Sequence, residues 1–254
     1  MGRERLGEYK ANGMNQADFW EPMVKFLKIQ KRDIFYNLCQ YGQEEPWTWA
    51  PGLGIQSWRI GGDLNHNVDT YFTQALRISK DFREYSKPGQ WNDPDFMYIH
   101  KLTDALKMMD PVRDISLNTN QRYQYVTLWS IVTAPFFFSC NISEIDVFTT
   151  RLLANADVLN VNQDELGHVG EVVRESNNEV VIMKKLHNGS KAIAVFNRDS
   201  EREKTIEVTW EEIGECCKKP VYDVWRQKVV GVMEGGMKVN LSADGVGYFI
   251  VGDL

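Results

Sequence analysis

Two short stretches of this sequence gather side chains able to move protons, hold a cation or grip a polyol. In QSWRIGGDL, residues 56–64, Arg59 and Asp63 stand either side of Gly61-Gly62 at the end of a candidate strand. At the carboxyl end of an α/β-barrel strand such a pair faces the reacting centre. The glycines would permit a sharp turn and close approach of a ligand to the backbone. The same spacing also describes a surface ion pair beside a turn. In GQWNDPDF, residues 89–96, Asp93 and Asp95 flank Pro94, which has no N–H to donate and so ends a strand. Carboxylates at that spacing could bind a divalent cation, accept from sugar hydroxyls, or close an Asx-type turn, and spacing leaves all three open.

Tryptophan crowds the same part of the chain. Six of the eight lie at or before Trp129, and Trp47, Trp49, Trp58 and Trp91 fall between Cys39 and Asp95. Their faces could meet the C–H face of a sugar ring, or they could be core and loop anchors. His66, His100, His168 and His187 are scattered over four segments without a G-x-S-x-G elbow, and read as structural or solvated. No P-loop or dinucleotide fingerprint occurs. Cys39, Cys140, Cys216 and Cys217 are too few for a disulfide framework and form no zinc spacing, and the adjacent pair reads as free thiols. No cofactor and no metal are expected.

The elements that must position these residues follow from composition and period. The 254 residues are 43% hydrophobic and 25% charged, enough to bury a substantial core. With 29 basic against 35 acidic side chains and no basic run, a nucleic-acid partner is not expected. No run approaches the ~18 apolar residues of a membrane span, and MGRERLGEYK has no apolar core of the signal-peptide kind. Helical spacing marks 18–30, with Asp18 as its N-cap, and then 69–82, 120–133 and 143–154. Between these helices lie candidate strands at 34–39, 57–60, 90–92 and 136–140. Strand alternating with helix predicts a parallel sheet or (β/α) barrel over residues 1–166.

After Gly167 the period changes. EVVIMKKL, KAIAVFNR, KTIEVTW, PVYDVW, KVVGVM, GMKVNL and VGYFIV follow one another between Asn-Gly, Gly-Gly and Asp-Gly turns. About eight short strands over residues 167–254 predict an antiparallel β-sandwich. No linker separates the two parts, so they should pack closely.

These stretches together resemble glycoside hydrolase family 27, the melibiase-type α-galactosidases and α-N-acetylgalactosaminidases. RDIFYNLCQYG resembles the family's fifth barrel strand, SWRIGGDL its Trp-Arg-x-x-x-Asp segment, and PGQWNDPDF its Pro-Gly-Gly-Trp-Asn-Asp-Pro-Asp stretch. LWSIVTAPFFFSCNI and VLNVNQDELG resemble the last barrel units, and VTWEEIG with VYDVW the C-terminal β-domain. The resemblance implies the C-terminal half of a (β/α)8 TIM barrel followed by that sandwich. It implies a retaining hydrolase of terminal α-galactosides, in which two carboxylates share the work. Asp63 corresponds to the acid/base, Arg59 to a substrate-binding guanidinium, Cys39 and Tyr41 to the wall of the sugar pocket, and Asp95 to an orienting carboxylate. Gln40, Tyr41 and Phe96 stand where the family commonly has Glu, Trp and Met.

The family's nucleophile is the Asp of a Lys-x-Asp-x-Cys strand, and no such segment occurs among the 254 residues. Residues 1–31 resemble the loop and helix just after that strand, so the chain reads as a fragment, inactive alone. Four strands cannot close an eight-stranded barrel, so self-association is predicted. A non-catalytic carbohydrate-binding remnant is the alternative, as are an α-N-acetylgalactosaminidase or a β-L-arabinopyranosidase, with residues 43–53 contributing to the pocket wall that separates these sugars, or a metal-dependent glycosyltransferase on Asp93 and Asp95.

Overall fold

A computed structural model describes residues 13–64, 68–99 and 117–252; His66 and His100 lie outside the described residues. Helix α1, Gln16–Lys28, opens with a reciprocal capping box: Asn15 Oδ1 accepts from Asp18 N at 2.9 Å, and Asp18 Oδ2 accepts from Asn15 N at 3.2 Å. Asp18 is therefore the third helical residue, and the cap lies three residues earlier than the sequence suggested. Strand β1, Asn37–Leu38, leads through α2, Pro46–Leu53, to β2, Ser57–Arg59. Helix α3, Val68–Lys80, then connects to β3, Trp91–Asp93. The order β1-β2-β3 is parallel, with Leu38 beside Trp58 and Arg59 beside Asp93.

Helix α2 escaped the sequence reading because PWTWAPGL holds two prolines and a glycine. Pro46, however, occupies the first turn, where its missing N–H costs nothing. Gly54 closes the helix at φ +85°, a left-handed cap natural to glycine. The strand expected at 136–140 is reduced to one parallel bridge. Met97 N donates to Phe137 O at 2.7 Å and Ser139 N to Met97 O at 3.0 Å. Pro135 has no N–H, and its carbonyl is drawn into a local bond from Phe137 N, so the ladder stops there.

Helix α4, Thr119–Ile131, is capped by Asn118 and buried from Gln124 to its end. The helix expected at 143–154 splits into a 3-10 turn, Ile142–Glu144, and α5, Val147–Leu153, because Asp146 caps a new start by accepting from Thr149 N at 2.6 Å. A further short helix, α6, spans Ala156–Asn162. No helix among the described residues is long and apolar enough to cross a membrane.

Eight antiparallel strands follow: β4 Glu171–Ser176, β5 Glu179–Lys185, β6 Lys191–Asn197, β7 Lys204–Thr209, β8 Lys218–Asp223, β9 Lys228–Glu234, β10 Gly236–Leu241 and β11 Val246–Val251. Six form a sheet in the order β4-β5-β6-β11-β8-β9, and β7 with β10 forms the facing pair. Val181, Ile193, Val195, Phe249 and Val251 meet Ile206, Val208 and Val239 between the sheets. Their alternates Ile182, Ala192, Ala194, Phe196 and Tyr248 join the core containing Trp129 of α4. That two-sided burial is why β6 reads as an unbroken apolar run rather than an alternation.

The seam between the helices and the sandwich is hydrogen-bonded as well as greasy. Gln124 Nε2 donates to Asn197 O at 2.8 Å, and Ser130 Oγ lies 2.8 Å from Tyr248 Oη. Lys184, fully buried, donates to Thr133 Oγ1 at 2.8 Å and to the Val161 carbonyl at the end of α6. Burial pushes its ammonium down to about 8.

Candidate functional site

In a parallel sheet all strands end on the same side, and the charged side chains collect at that end. Arg59 is the last residue of β2, Asp93 the last of β3, and Cys39 immediately follows β1. Arg59 is only 3% exposed. Its Nη1 lies 2.8 Å from Asp95 Oδ1, and its Nη2 lies 2.7 Å from Gly62 O and 3.2 Å from Asp63 Oδ1. Cys39 Sγ is 3.7 Å from Nη1. A single buried guanidinium therefore bridges Asp95 inside and Asp63 outside, with the Asp63 side chain 45% exposed at the rim.

Asp95 spends both oxygens inside the protein. Oδ1 accepts from Phe96 N at 2.8 Å as well as from Arg59, and Oδ2 accepts from Leu64 N at 2.7 Å. Burial pushes its carboxyl upward, and the Arg59 guanidinium and the two amides pull it back. Its backbone sits at φ +117°, a region L-residues avoid. Strain of that kind persists only where the surroundings over-determine it. Asp93 supplies part of that constraint. Its Oδ1 accepts from Asp95 N at 2.8 Å, an Asx turn, and its Oδ2 accepts from Asn37 Nδ2 at 2.7 Å. At 1% exposure, burial drives the Asp93 carboxyl above the ordinary range. The bond from Asp95 N to Asp93 Oδ1 is the Asx turn that the sequence spacing allowed.

The segment after β1 forms a tight elbow. Tyr41 and Gly42 have φ of +62° and +74°. A Cβ on Gly42 would lie 2.6 Å from Ile60 O, so only glycine fits against β2 here. Gln40 is buried, its Oε1 accepting from Gly42 N at 3.1 Å and its Nε2 bonded to the Gln43 carbonyl. It thus braces the elbow from within. Tyr41 is thrown outward, 45% exposed, and Cys39 is exposed beside Arg59.

The structure gathers Cys39, Arg59, Asp63 and Asp95 through the Arg59 contacts, and puts Tyr41 on the same elbow. The tryptophans divide differently. Trp58 is buried with Nε1 bonded to Asn92 Oδ1 at 2.8 Å, and Trp47 packs on Phe82 and Tyr85, so both are anchors. Trp91 lines an apolar cavity of about 460 Å3 with Phe35 and Phe137. That cavity adjoins the start of β3, at the end of the sheet away from Arg59. Asn37 lies within the RDIFYNLCQYG stretch, but no role attaches to it from the sequence. Its place two residues before Cys39 in the run expected to be extended at 34–39 is the signal that could have found it, since residues two apart in extended chain share a face. Asn37 Oδ1 and Arg59 Nε are buried without hydrogen-bond partners among the described residues.

Comparison with known proteins bears on both parts of the chain. Residues 55–164 match the family described as Alpha galactosidase A, and residues 176–251 match the Alpha galactosidase C-terminal beta sandwich domain. Alpha-galactosidase 2 of Arabidopsis thaliana is 31% identical over 202 residues, 80% of this chain and 47% of that protein. Among solved structures, alpha-galactosidase I from Mortierella vinacea superposes with a TM-score of 0.79 at 21% identity, over 93% of this chain and 63% of that one. A family 27 β-L-arabinopyranosidase from Geobacillus stearothermophilus superposes at 0.82 and 19% identity, over 95% and 55%. These two show the fold alone. The chain spans about half the length of the relatives it matches.

Proposed function

Because this chain belongs to glycoside hydrolase family 27, we propose that it carries the acid/base side of the active site of a retaining α-galactosidase. Residues 1–166 then correspond to the C-terminal half of the (β/α)8 barrel, and 167–254 to the sandwich. The observation that carries the reading is Arg59, buried at the end of β2 and bridging Asp95 beneath it to the half-exposed Asp63.

Asp63 stands where a proton donor must reach both substrate and solvent. It protonates the departing glycosidic oxygen, and its carboxylate then takes a proton from the water that releases the sugar. Arg59 fixes the Asp63 carboxylate from one side, and its Nη1 hydrogen facing Cys39 Sγ at 3.7 Å is the one open to a sugar hydroxyl. Asp95 holds that guanidinium in place, a positioning role, since its oxygens are already taken by Arg59, Leu64 N and Phe96 N. Cys39 and Tyr41 form the wall beside it. The substrate is a small or oligomeric saccharide ending in α-galactose. No Lys-x-Asp-x-Cys segment is present in these residues, so the reading assigns the nucleophile to residues outside them. Such a partner carboxyl belongs ~5–5.5 Å from that of Asp63.

The test is hydrolysis of a chromogenic α-galactoside by this chain beside its Asp63→Asn variant. Neither protein should turn over. Turnover lost in Asp63→Asn would keep the role of Asp63 and move the nucleophile into these residues. Turnover indifferent to the substitution would remove the proposal. In an active assembly, Asp63→Asn should lower kcat by about 10²–10⁴-fold for leaving groups that need a proton, and far less for acidic phenols.

A further inference from the structure

Between the turn at Trp210–Gly214 and β8 lies a segment that the proposed site does not use. Glu215 anchors one end: Lys191 Nζ and Lys219 Nζ each lie 2.8 Å from its carboxylate, and its N–H donates to Trp210 O at 2.7 Å. Lys218, the first residue of β8, anchors the other. Cys216 and Cys217 sit between these anchors, both free and both exposed. Successive side chains of an extended segment point to opposite faces. Cys217 breaks that alternation with a left-handed φ of +61°, and its Sγ comes within 3.2 Å of Cys216 Sγ.

Geometry narrows what two thiols so placed can do. Adjacent Cα atoms are about 3.8 Å apart, whereas a relaxed disulfide wants about 4.4–6.8 Å. A mutual disulfide would therefore be strained and easily reduced. A thiophilic centre about 2.3 Å from each sulfur, across the 3.2 Å gap, would see them at an angle of roughly 90°. Tetrahedral zinc wants a wider angle and four ligands, and no group of three metal-capable side chains occurs among the described residues. A pyramidal trivalent arsenic bonds near right angles and needs only two protein sulfurs, its third valence being filled by its own substituent.

We propose that Cys216 and Cys217 form a dithiol site for trivalent arsenicals. The exchange is redox-neutral. R–As(OH)2 and two Cys–SH give a cyclic R–As(S–Cys)2 and two waters; two As–O and two S–H bonds break, and two As–S and two O–H bonds form. Once the first As–S bond exists the second is intramolecular, which is the source of affinity over a single thiol.

The reduced full chain is titrated with phenylarsine oxide, desalted, and mapped by peptide mass spectrometry after iodoacetamide. One equivalent should remain bound, with Cys216 and Cys217 protected and Cys39 and Cys140 alkylated. Dithiothreitol should release it at concentrations at which mercaptoethanol does not. Cys216→Ser and Cys217→Ser should each weaken retention by roughly 100-fold or more, and Cys140→Ser should leave it unchanged. Retention undiminished in Cys217→Ser, or protection falling on Cys39 or Cys140 instead, would overturn the proposal.

Discussion

In the α/β region the three described ladder strands run two or three residues and two of them end in buried charge, whereas the sandwich strands run six or seven and end in turns. The sandwich satisfies its backbone with its own ladders and fills the gap with aliphatic side chains. The α/β region leaves Arg59, Asp93 and Asp95 at 3% exposure or less, with Asp95 at φ +117°. The sandwich buries charge too, in Lys184 and Asp223, but only the α/β region couples buried Arg59 and Asp95 to a half-exposed Asp63 at a strand end, where the proposed chemistry lies.

This contrast can be attacked by mutation. The coarsest expected difference is in solution state. Among the described residues β1 is an edge strand, and Phe35 and Phe96 are 52% and 45% exposed. Sedimentation velocity should therefore show concentration-dependent association, and a single monomer peak throughout would count against it. Next is Arg59→Met, which strands Asp95 as an uncompensated buried carboxylate. The expected loss is about 3–5 kcal/mol in urea unfolding. Adding Asp95→Leu should recover much of it, and additive losses would deny that the two act as a pair.

Lys184 ties the two regions together and gives the comparison a pH axis. Its folded pKa, about 8, lies below its ordinary 10.5. Below pH 8 both states hold the proton and the burial penalty is fully present. Between about 8 and 10 only the unfolded chain stays protonated, so stability should rise with pH, tending toward about 3 kcal/mol. Above 10 the slope turns, because buried Tyr71, Tyr125 and Tyr248 resist ionising. Lys184→Met should flatten the rise in unfolding measured across that window. Asn37→Ala, which removes a bond to the buried Asp93, should cost about 1–3 kcal/mol. Smallest of all, Ile193→Val in the sandwich core should cost about 0.5–1.5 kcal/mol. A larger loss there than from Arg59→Met would invert the contrast drawn above.

Legibility in the sequence followed the same division. Seven sandwich strands were readable because short strand-forming runs, alternating or unbroken as in β6, between Asn-Gly, Gly-Gly and Asp-Gly turns are local signals. The eighth, Glu171–Ser176, hid because its outer-edge residues are mostly polar or half-buried. Arg59, Asp63 and Asp95 could be named from motif and resemblance, but their bridging could not, since it depends on a register that aligns Arg59 with Asp93. Gln40 was legible only as a departure from a pattern. Its use as an internal brace follows from the Gly42 elbow pressed on Ile60 O, a contact between segments 18 residues apart. Helix α2 was masked by its prolines, and the Phe136–Cys140 strand was overcalled because Phe-rich runs look the same whether or not a partner continues the ladder.

The seam has an evolutionary corollary. Tyr248 reaches Ser130, Asn197 receives Gln124, and Lys184 caps the end of α6. A sandwich borrowed from a distant relative would have to bring these same groups at the same positions, or leave helix ends bare and an apolar sheet face wet. The two parts are therefore poor currency for domain shuffling: recombination between them should fail more often than substitution within them, and lineages should inherit them as one piece.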